Sequence, residues 1–398
     1  MSLRFDLAAP EDDPELRRLL RENPFAGSIS ISFEREPNYF HASAVEGPFH
    51  QTLVARETES GKIVGMGDRS ARPLYVNGEL QTIGYFSGLR ARPDYQRGMA
   101  LARYLSKGFK GQRKLHADGR VPYYLMSIVA DNDPARRLLE SSLPNFPRLF
   151  QYTRLHTLAI HPARPLPSLR AAALWRRSNL RIASGEEQMR PRNDGYVEEK
   201  LKITRGSADL IPAIVDCLTR NGMRRQFAPH WTEETLLSPL TPGLSISDFF
   251  LAQSGSRVRG CLALWDQSSI KQSVVRGYSG NLARYRKLVN LLAPLGFWAP
   301  LPKPGTRLNQ CFASFLAVDD DDPEIFAALL RAVHNEAARR KCAYLLLGLA
   351  EDSPFLPIAQ TYRPITYKSG IYLAAWEDGY EATARVDDRT SALEIALL

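Results

Sequence analysis

The chain is poor in the features that announce most enzyme classes. It has only four cysteines in 398 residues, Cys217, Cys261, Cys311 and Cys342, all in the second half and without paired metal spacing. Each lies in an apolar neighbourhood such as Cys261-Leu262-Ala263-Leu264, which predicts buried thiols and a reducing, cytoplasmic setting. No Ser/His/Asp nucleophile pattern, HExxH zinc pair or GxxxxGK phosphate loop occurs. The opening residues MSLRFDLAAPEDDPE hold no apolar signal core, so no export is expected. The longest apolar run, 288–302, is interrupted by Asn290, Pro294 and Pro300. Spanning a bilayer takes about 20 apolar residues, so no membrane span is expected. The net charge of +9 is scattered along predicted helices with no dense basic tract. That distribution reads as solvated surface plus an anionic-cofactor pocket rather than a nucleic-acid face.

What is present describes an ordinary globular protein, with 44% apolar and 24% charged residues and length for two or three domains. Residues 11–22 read as a helix with Leu16, Leu19 and Leu20 on one face, ended by Asn23-Pro24. Strand-like runs at 52–55 and 62–67 flank Glu59-Ser60-Gly61, a hairpin signal. A strand at 82–91, a helix at 98–110, a strand at 121–130, a helix at 134–142 and a closing strand at 149–160 follow. Residues 161–198 shift to Pro and Arg and read as a connector. The second half repeats the order faintly. Strand and helix at 200–220, a hairpin around 256–260, a strand at 312–318, a helix at 323–340 and a strand at 344–349 echo the first. The expected domains are therefore 1–160 and 199–398, each a mixed α/β layer. Aromatic residues gather in 288–302, with Phe297-Trp298 among prolines, and read as a loop packed on its own domain.

The chemistry concentrates in 83–109, IGYFSGLRARPDYQRGMALARYLSKGF, a strand, a Pro/Arg/Gly turn and an amphipathic helix. Such a junction offers free backbone N–H groups to an anion. Gly98 permits close backbone approach, Ala100 keeps the next turn open, and Arg97 adds a charge-assisted contact to phosphate. Leu101, Leu105 and Phe109 anchor one face of the helix. A second strand-to-helix junction opens with Asp131-Asn132-Asp133-Pro134-Ala135. The second half has Asp319-Asp320-Asp321-Asp322 where the first has Tyr95-Gln96-Arg97-Gly98. Those carboxylates repel phosphate and read as a helix cap, with a metal site the weighed alternative and no metal expected.

The stretch Leu89-Arg90-Ala91-Arg92-Pro93-Asp94-Tyr95-Gln96-Arg97-Gly98-Met99-Ala100 resembles the acetyl-CoA motif of the GNAT (GCN5-related N-acetyltransferase) superfamily. Asn132-Asp133-Pro134-Ala135 resembles that superfamily's Asn-x-x-Ala motif. The resemblance implies an α/β mixed sheet built as two tandem GNAT-like acyl-CoA transferase domains, the second copy degenerate. It implies acetyl-CoA as donor, its pyrophosphate on the N–H groups of 96–101 and its pantetheine between the strands 82–91 and 121–130. The cofactor set it implies is Leu89, Ala91, Gln96, Arg97, Gly98, Met99, Ala100, Leu101, Asn132 and Ala135. Gly88 suits a bulge in the first of those strands. Aligning Gln96 places Met99 at the family's glycine, and Leu139 stands where many members carry a tyrosine acid.

An acceptor amine must lose a proton before attacking a thioester, and Glu34 and Glu36 of Phe33-Glu34-Arg35-Glu36-Pro37-Asn38-Tyr39-Phe40-His41 are the candidate bases, with His41 and His50 behind them. The expected function is N-acetyl transfer to a primary amine of a small molecule or peptide. A non-catalytic CoA-binding regulator of the same fold and an acyl transferase using an RNA-linked donor are the alternatives. The oligomeric state stays open.

Overall fold

The computed structural model describes residues 2–25, 27–96, 98–130, 144–162, 201–292 and 301–398. The first half contains β1 (Leu3–Leu7), α1 (Asp13–Glu22), β2 (Ile29–Glu34) and a short α2 (Ser43–Glu46). It continues with β3 (Phe49–Glu57), β4 (Ile63–Val76), β5 (Glu79–Ala91), α3 (Gly98–His116), β6 (Tyr124–Val129) and β7 (Arg148–Ile160). The second half supplies β8 (Lys202–Arg205), α4 (Ile211–Gly222), β9 (Ala228–Pro229), β10 (Phe249–Ser254), β11 (Arg257–Trp265) and β12 (Gln272–Tyr278). Then come β13 (Gln310–Val318), α5 (Pro323–Arg339), β14 (Tyr344–Ala350) and β15 (Ile365–Ala375). The helix expected at 134–142 and nearly all of the connector lie outside the described residues.

One mixed sheet runs β1-β3-β4-β5-β6-β15-β7-β14-β13-β11-β10-β8. The two ends mirror each other. β1, β3, β4 and β5 pair antiparallel, as do β8, β10, β11 and β13, and each set ends in a parallel pair, β5–β6 and β13–β14. A parallel pair needs a long crossover, which α3 contributes to in the first copy and α5 supplies in the second. The repeat expected from the sequence is thus present strand for strand.

The middle of the sheet departs from expectation. β7 does not close the first half, because β15 lies between β6 and β7 and pairs antiparallel with both. β7 in turn pairs with β14 of the second half. Each half lends its final strand to the other. The buried run Ile371, Tyr372, Leu373, Ala374 and Ala375 gives β15 two covered faces, as a central strand requires.

Successive strand residues feed opposite faces, so Val54 and Ile63 join the α1 side while Ala55 and Val64 join the α3 side. On the α1 side Leu16, Leu19 and Leu20 pack with Tyr39 and Met66. On the other, Tyr104, Leu105 and Phe109 pack with Phe86, Tyr124 and Met126. Gly65 exists for that contact, since a Cβ there would stand 2.5 Å from the Tyr104 hydroxyl. A separate two-stranded sheet joins β2 to β12 and so ties the halves together. The four cysteines are buried free thiols, as their neighbourhoods suggest. Asp322 caps α5 by accepting from Glu324 N–H at 2.8 Å, and Asp319 accepts from Arg220 and Asn221, both at 2.9 Å. The acidic run is therefore a cap with ion pairs.

Candidate functional site

β5 and β6 pair only at Gly84–Tyr124, Tyr85–Leu125 and Phe86–Met126. Beyond that point β5 stays with β4 and β6 stays with β15, so the two strands part. Where they part, β5 carries a bulge: Ser87 faces Asp68 and Arg90 faces Met66, which sets Gly88 and Leu89 against Gly67 alone. Gly88 has φ of 62°, and a Cβ there would fall 2.3 Å from Asp68 Oδ2. Only glycine fits.

The parting opens a cavity of about 480 Å³ that passes through the plane of the sheet. On the α3 side its wall is apolar, with Phe5, Leu53, Leu105, Phe109, Met126 and Ile128. On the other side it is charged, with Glu34, Arg35, Glu46, Asp68, Arg90 and Lys271. Asp68 accepts from Tyr39 OH at 2.6 Å and Thr52 Oγ1 at 2.6 Å, and Arg35 stands 3.4 Å away. Glu46 is ion-paired to Arg35 and accepts from Ser87 Oγ at 3.0 Å, with His50 Nε2 at 3.5 Å. Burial alone would raise the Glu46 carboxyl, but the Arg35 guanidinium and His50 hold it well below the usual carboxylate range. Glu46, His50 and Asp68 could bring ligand atoms within 4.8 Å of one another, yet Arg35 already supplies the charge a cation would bring. Burial pushes Lys271 down to about 8 despite the pull of Glu46. Its Nζ donates to the backbone oxygen of Leu398 at 3.1 Å.

The expected site residues separate. Glu34 lines the cavity at 6% exposure, ion-paired to Arg276 and accepting from Ser32 Oγ at 2.5 Å. Glu36 lies outside the cavity wall, held by Arg17 at 2.6 Å and Arg21 at 2.7 Å. His41 is exposed on the surface. Leu89 lines the cavity, and Ala91 is buried toward α3. Gln96 donates its amide to Asn23 Oδ1 at 2.7 Å and to the Ala91 carbonyl at 2.5 Å. Gly98, Met99 and Ala100 form the first turn of α3, and Leu101 is half-buried against its core. Arg97, Asn132 and Ala135 lie outside the described residues, as do Phe297 and Trp298. Asp68, Glu46 and Lys271 escaped the sequence reading. A charge inside the small-residue strand run Gly65-Met66-Gly67-Asp68 was the available signal for Asp68. Lys271, from a loop of the other half, had none.

The second half repeats the bulge and fills it. β13 and β14 pair at 310–312 and then part. Phe315, at φ of 59°, sits in the bulge between β11 and β13. Its N–H donates to Glu394 Oε2 at 2.9 Å, and Ser314 Oγ donates to Glu394 Oε1 at 3.2 Å. Ile395 packs where a Gly348 Cβ would meet it at 2.3 Å. Only a recess of about 90 Å³ remains. One cleft is open and its twin is occupied by the chain itself.

No protein-family model and no curated protein matches the sequence. Solved structures do match. Saccharomyces cerevisiae N-myristoyltransferase with bound myristoyl-CoA is similar at a TM-score of 0.56 and 13% identity, over 94% of this chain and 79% of that one. A GCN5-related N-acetyltransferase from Sphaerobacter thermophilus is similar at a TM-score of 0.51 and 14% identity, over 93% of this chain and 95% of that one. Set beside the mirrored strand order and the two parted, bulged strand pairs, these likenesses show that the chain has the GNAT fold in two tandem copies.

Proposed function

We propose that the chain transfers an acyl group from a CoA thioester, acetyl-CoA in the first instance, to a primary amine. The bulge carries this reading. In the second half the bulge N–H of Phe315 holds a carboxylate oxygen. Gly88 stands at the equivalent place in the first half and faces a cavity. A thioester carbonyl oxygen is the acceptor for such an N–H, which then stabilises the oxyanion as the carbonyl carbon becomes tetrahedral. The pyrophosphate falls to Gln96, Arg97 and the first N–H groups of α3 at Gly98, Met99, Ala100 and Leu101. Leu89 and Ala91 flank the pantetheine arm, and Asn132 and Ala135 complete the set.

In the transfer, the amine lone pair attacks the thioester carbon, the C–N bond forms, and the C–S bond breaks to release CoA as a thiolate. A thiol with a pKa near ~8.5 leaves without an acid, which accommodates Leu139. Of the two expected bases only Glu34 lines the cavity, and Arg276 holds it as an ion pair. We assign the amine's proton to Lys271, whose neutral form burial favours. The apolar half of the cavity also has room beyond an acetyl group, so donors from acetyl-CoA to myristoyl-CoA belong in the test. Calorimetry should give one equivalent of acyl-CoA per chain, and mass spectrometry should find an acylated amine. Gly98→Asp should weaken CoA binding at least about tenfold by placing a carboxylate at the phosphate turn. Tight binding without transfer to any amine would make the chain a CoA-binding regulator, and absence of binding would end the proposal.

A further inference from the structure

The charged side of the cavity holds an arginine that no carboxylate among the described residues pairs. Each of its acids is already engaged: Glu34 with Arg276, Glu46 with Arg35 and Asp68 with Tyr39, Thr52 and Arg35. Arg90 lines the same cavity, yet no carboxylate among the described residues lies within ion-pair distance of it. Its guanidinium sits 4.3 Å from the Phe25 ring centroid, and Nη1 donates to the Leu89 carbonyl at 2.8 Å. By contrast Arg17, Arg21, Arg35 and Arg276 around it are all paired with acids. Arg35 is spent on Glu46 and on Asp68, which its Nη1 approaches at 3.4 Å. Burial, with Arg35 nearby, pushes Arg90 down to about 10.

The position of Arg90 distinguishes two anions it could serve. Ala91 packs into the core under α3, so Arg90, its neighbour in the strand, faces the opposite side of the sheet with Phe25. The phosphate turn and the N-terminus of α3 follow from Pro93 onward. Arg90 therefore lines the cavity together with Glu46 and Lys271, on the face of the sheet opposite α3. We propose that the acceptor is a primary amine that also bears a carboxylate, an amino acid or ω-amino acid, and that Arg90 binds this carboxylate over the face of Phe25. A planar guanidinium pinned on an aromatic ring presents a fixed fork to a carboxylate, which orients the amine at the far end of a small molecule toward the thioester.

This inference rests on the acyl-transfer reading, and matched acceptors separate the two. Glycine is compared with methylamine, β-alanine with ethylamine and γ-aminobutyrate with propylamine, using the wild-type full chain and saturating acyl-CoA. The carboxylated member of at least one pair should have a kcat/KM roughly 10- to 100-fold higher. Arg90→Gln should erase that preference by raising KM for the carboxylated amine while leaving KM for acyl-CoA and the plain amine unchanged. Arg90→Lys should keep part of the preference, which rules out a general folding defect. Equal rates within every pair, or an Arg90→Gln effect on acyl-CoA KM, would overturn the assignment and leave acyl transfer standing. No transfer to any amine would remove acyl transfer itself.

Discussion

A lysine with an ammonium of ordinary pKa is a poor proton acceptor near neutrality, and the surroundings of Lys271 change that. Burial lowers it to about 8, Arg35 and Arg72 push the same way, and Glu46 and Asp68 oppose them. Below that value Lys271 is charged and unable to take a proton from the amine; above it the neutral amine is available. With the proton assigned to Lys271, kcat/KM should rise with pH through a limb near 8 and level off above it. Lys271→Met should remove the limb and lower the rate by about 10²- to 10⁴-fold, measured across pH 6–10. A profile unchanged in Lys271→Met would return the role to Glu34. At this scale the sequence was only partly legible. Glu34 was readable because it sits in a loop-like polar run, whereas Lys271 reaches the cavity through the β2–β12 pairing, which joins residues more than two hundred positions apart. No local pattern encodes that.

Elements explain why the open cleft lies where it does. A parallel pair that parts after a few hydrogen bonds leaves a gap only if something stops the strands from rejoining. Here the bulge at Gly88 and Leu89 turns β5 toward β4, and β15 takes β6 in the other direction. Much of the local pattern was legible: α1, the start of α3, α5 and the strands before and after each crossover were read close to their observed bounds, whereas β4 runs on to Val76 past the expected 62–67, β11 to Trp265 past 256–260, and α3 to His116 past 98–110. The placement of β15 was not. ITYKSGIYLAA reads as a strand anywhere, and its insertion beside β6 is a non-local choice made by burial of Ile371 to Ala375 on both faces. The bulge itself gives a prediction at this scale. Gly88→Ala sets a Cβ against Asp68 at positive φ, and should cost about 1–3 kcal/mol of stability in chemical unfolding. Because it moves the bulge N–H, it should also lower kcat more than it raises acyl-CoA KM. Unchanged stability and kcat would mean the bulge relaxes freely and does not serve the thioester.

At the scale of the whole molecule, the exchange of final strands decides whether the two halves are domains in the folding sense. The sequence places a boundary between them at 161–198, and the repeat supports two copies of one unit. The sheet argues against independence. A fragment ending at residue 162 would carry β7, whose eleven-position ladder with β15 and whose pairing with β14 both belong to the other half. It would also leave β6 without its antiparallel neighbour β15. Unpaired edges of that length, flanked by buried apolar residues, favour aggregation over folding. The site likewise draws on both halves, because Lys271, brought in by the β2–β12 pairing, and Leu398 line the first-half cavity from the second half. The full chain should therefore unfold in one transition, coincident by fluorescence and circular dichroism. Residues 1–162 alone should be insoluble or lack a cooperative melt. When 1–162 and 201–398 are expressed together they should copurify and recover CoA binding. A cooperative melt of 1–162 by itself would show that the first copy folds alone and that strand exchange is a later embellishment rather than the basis of the fold.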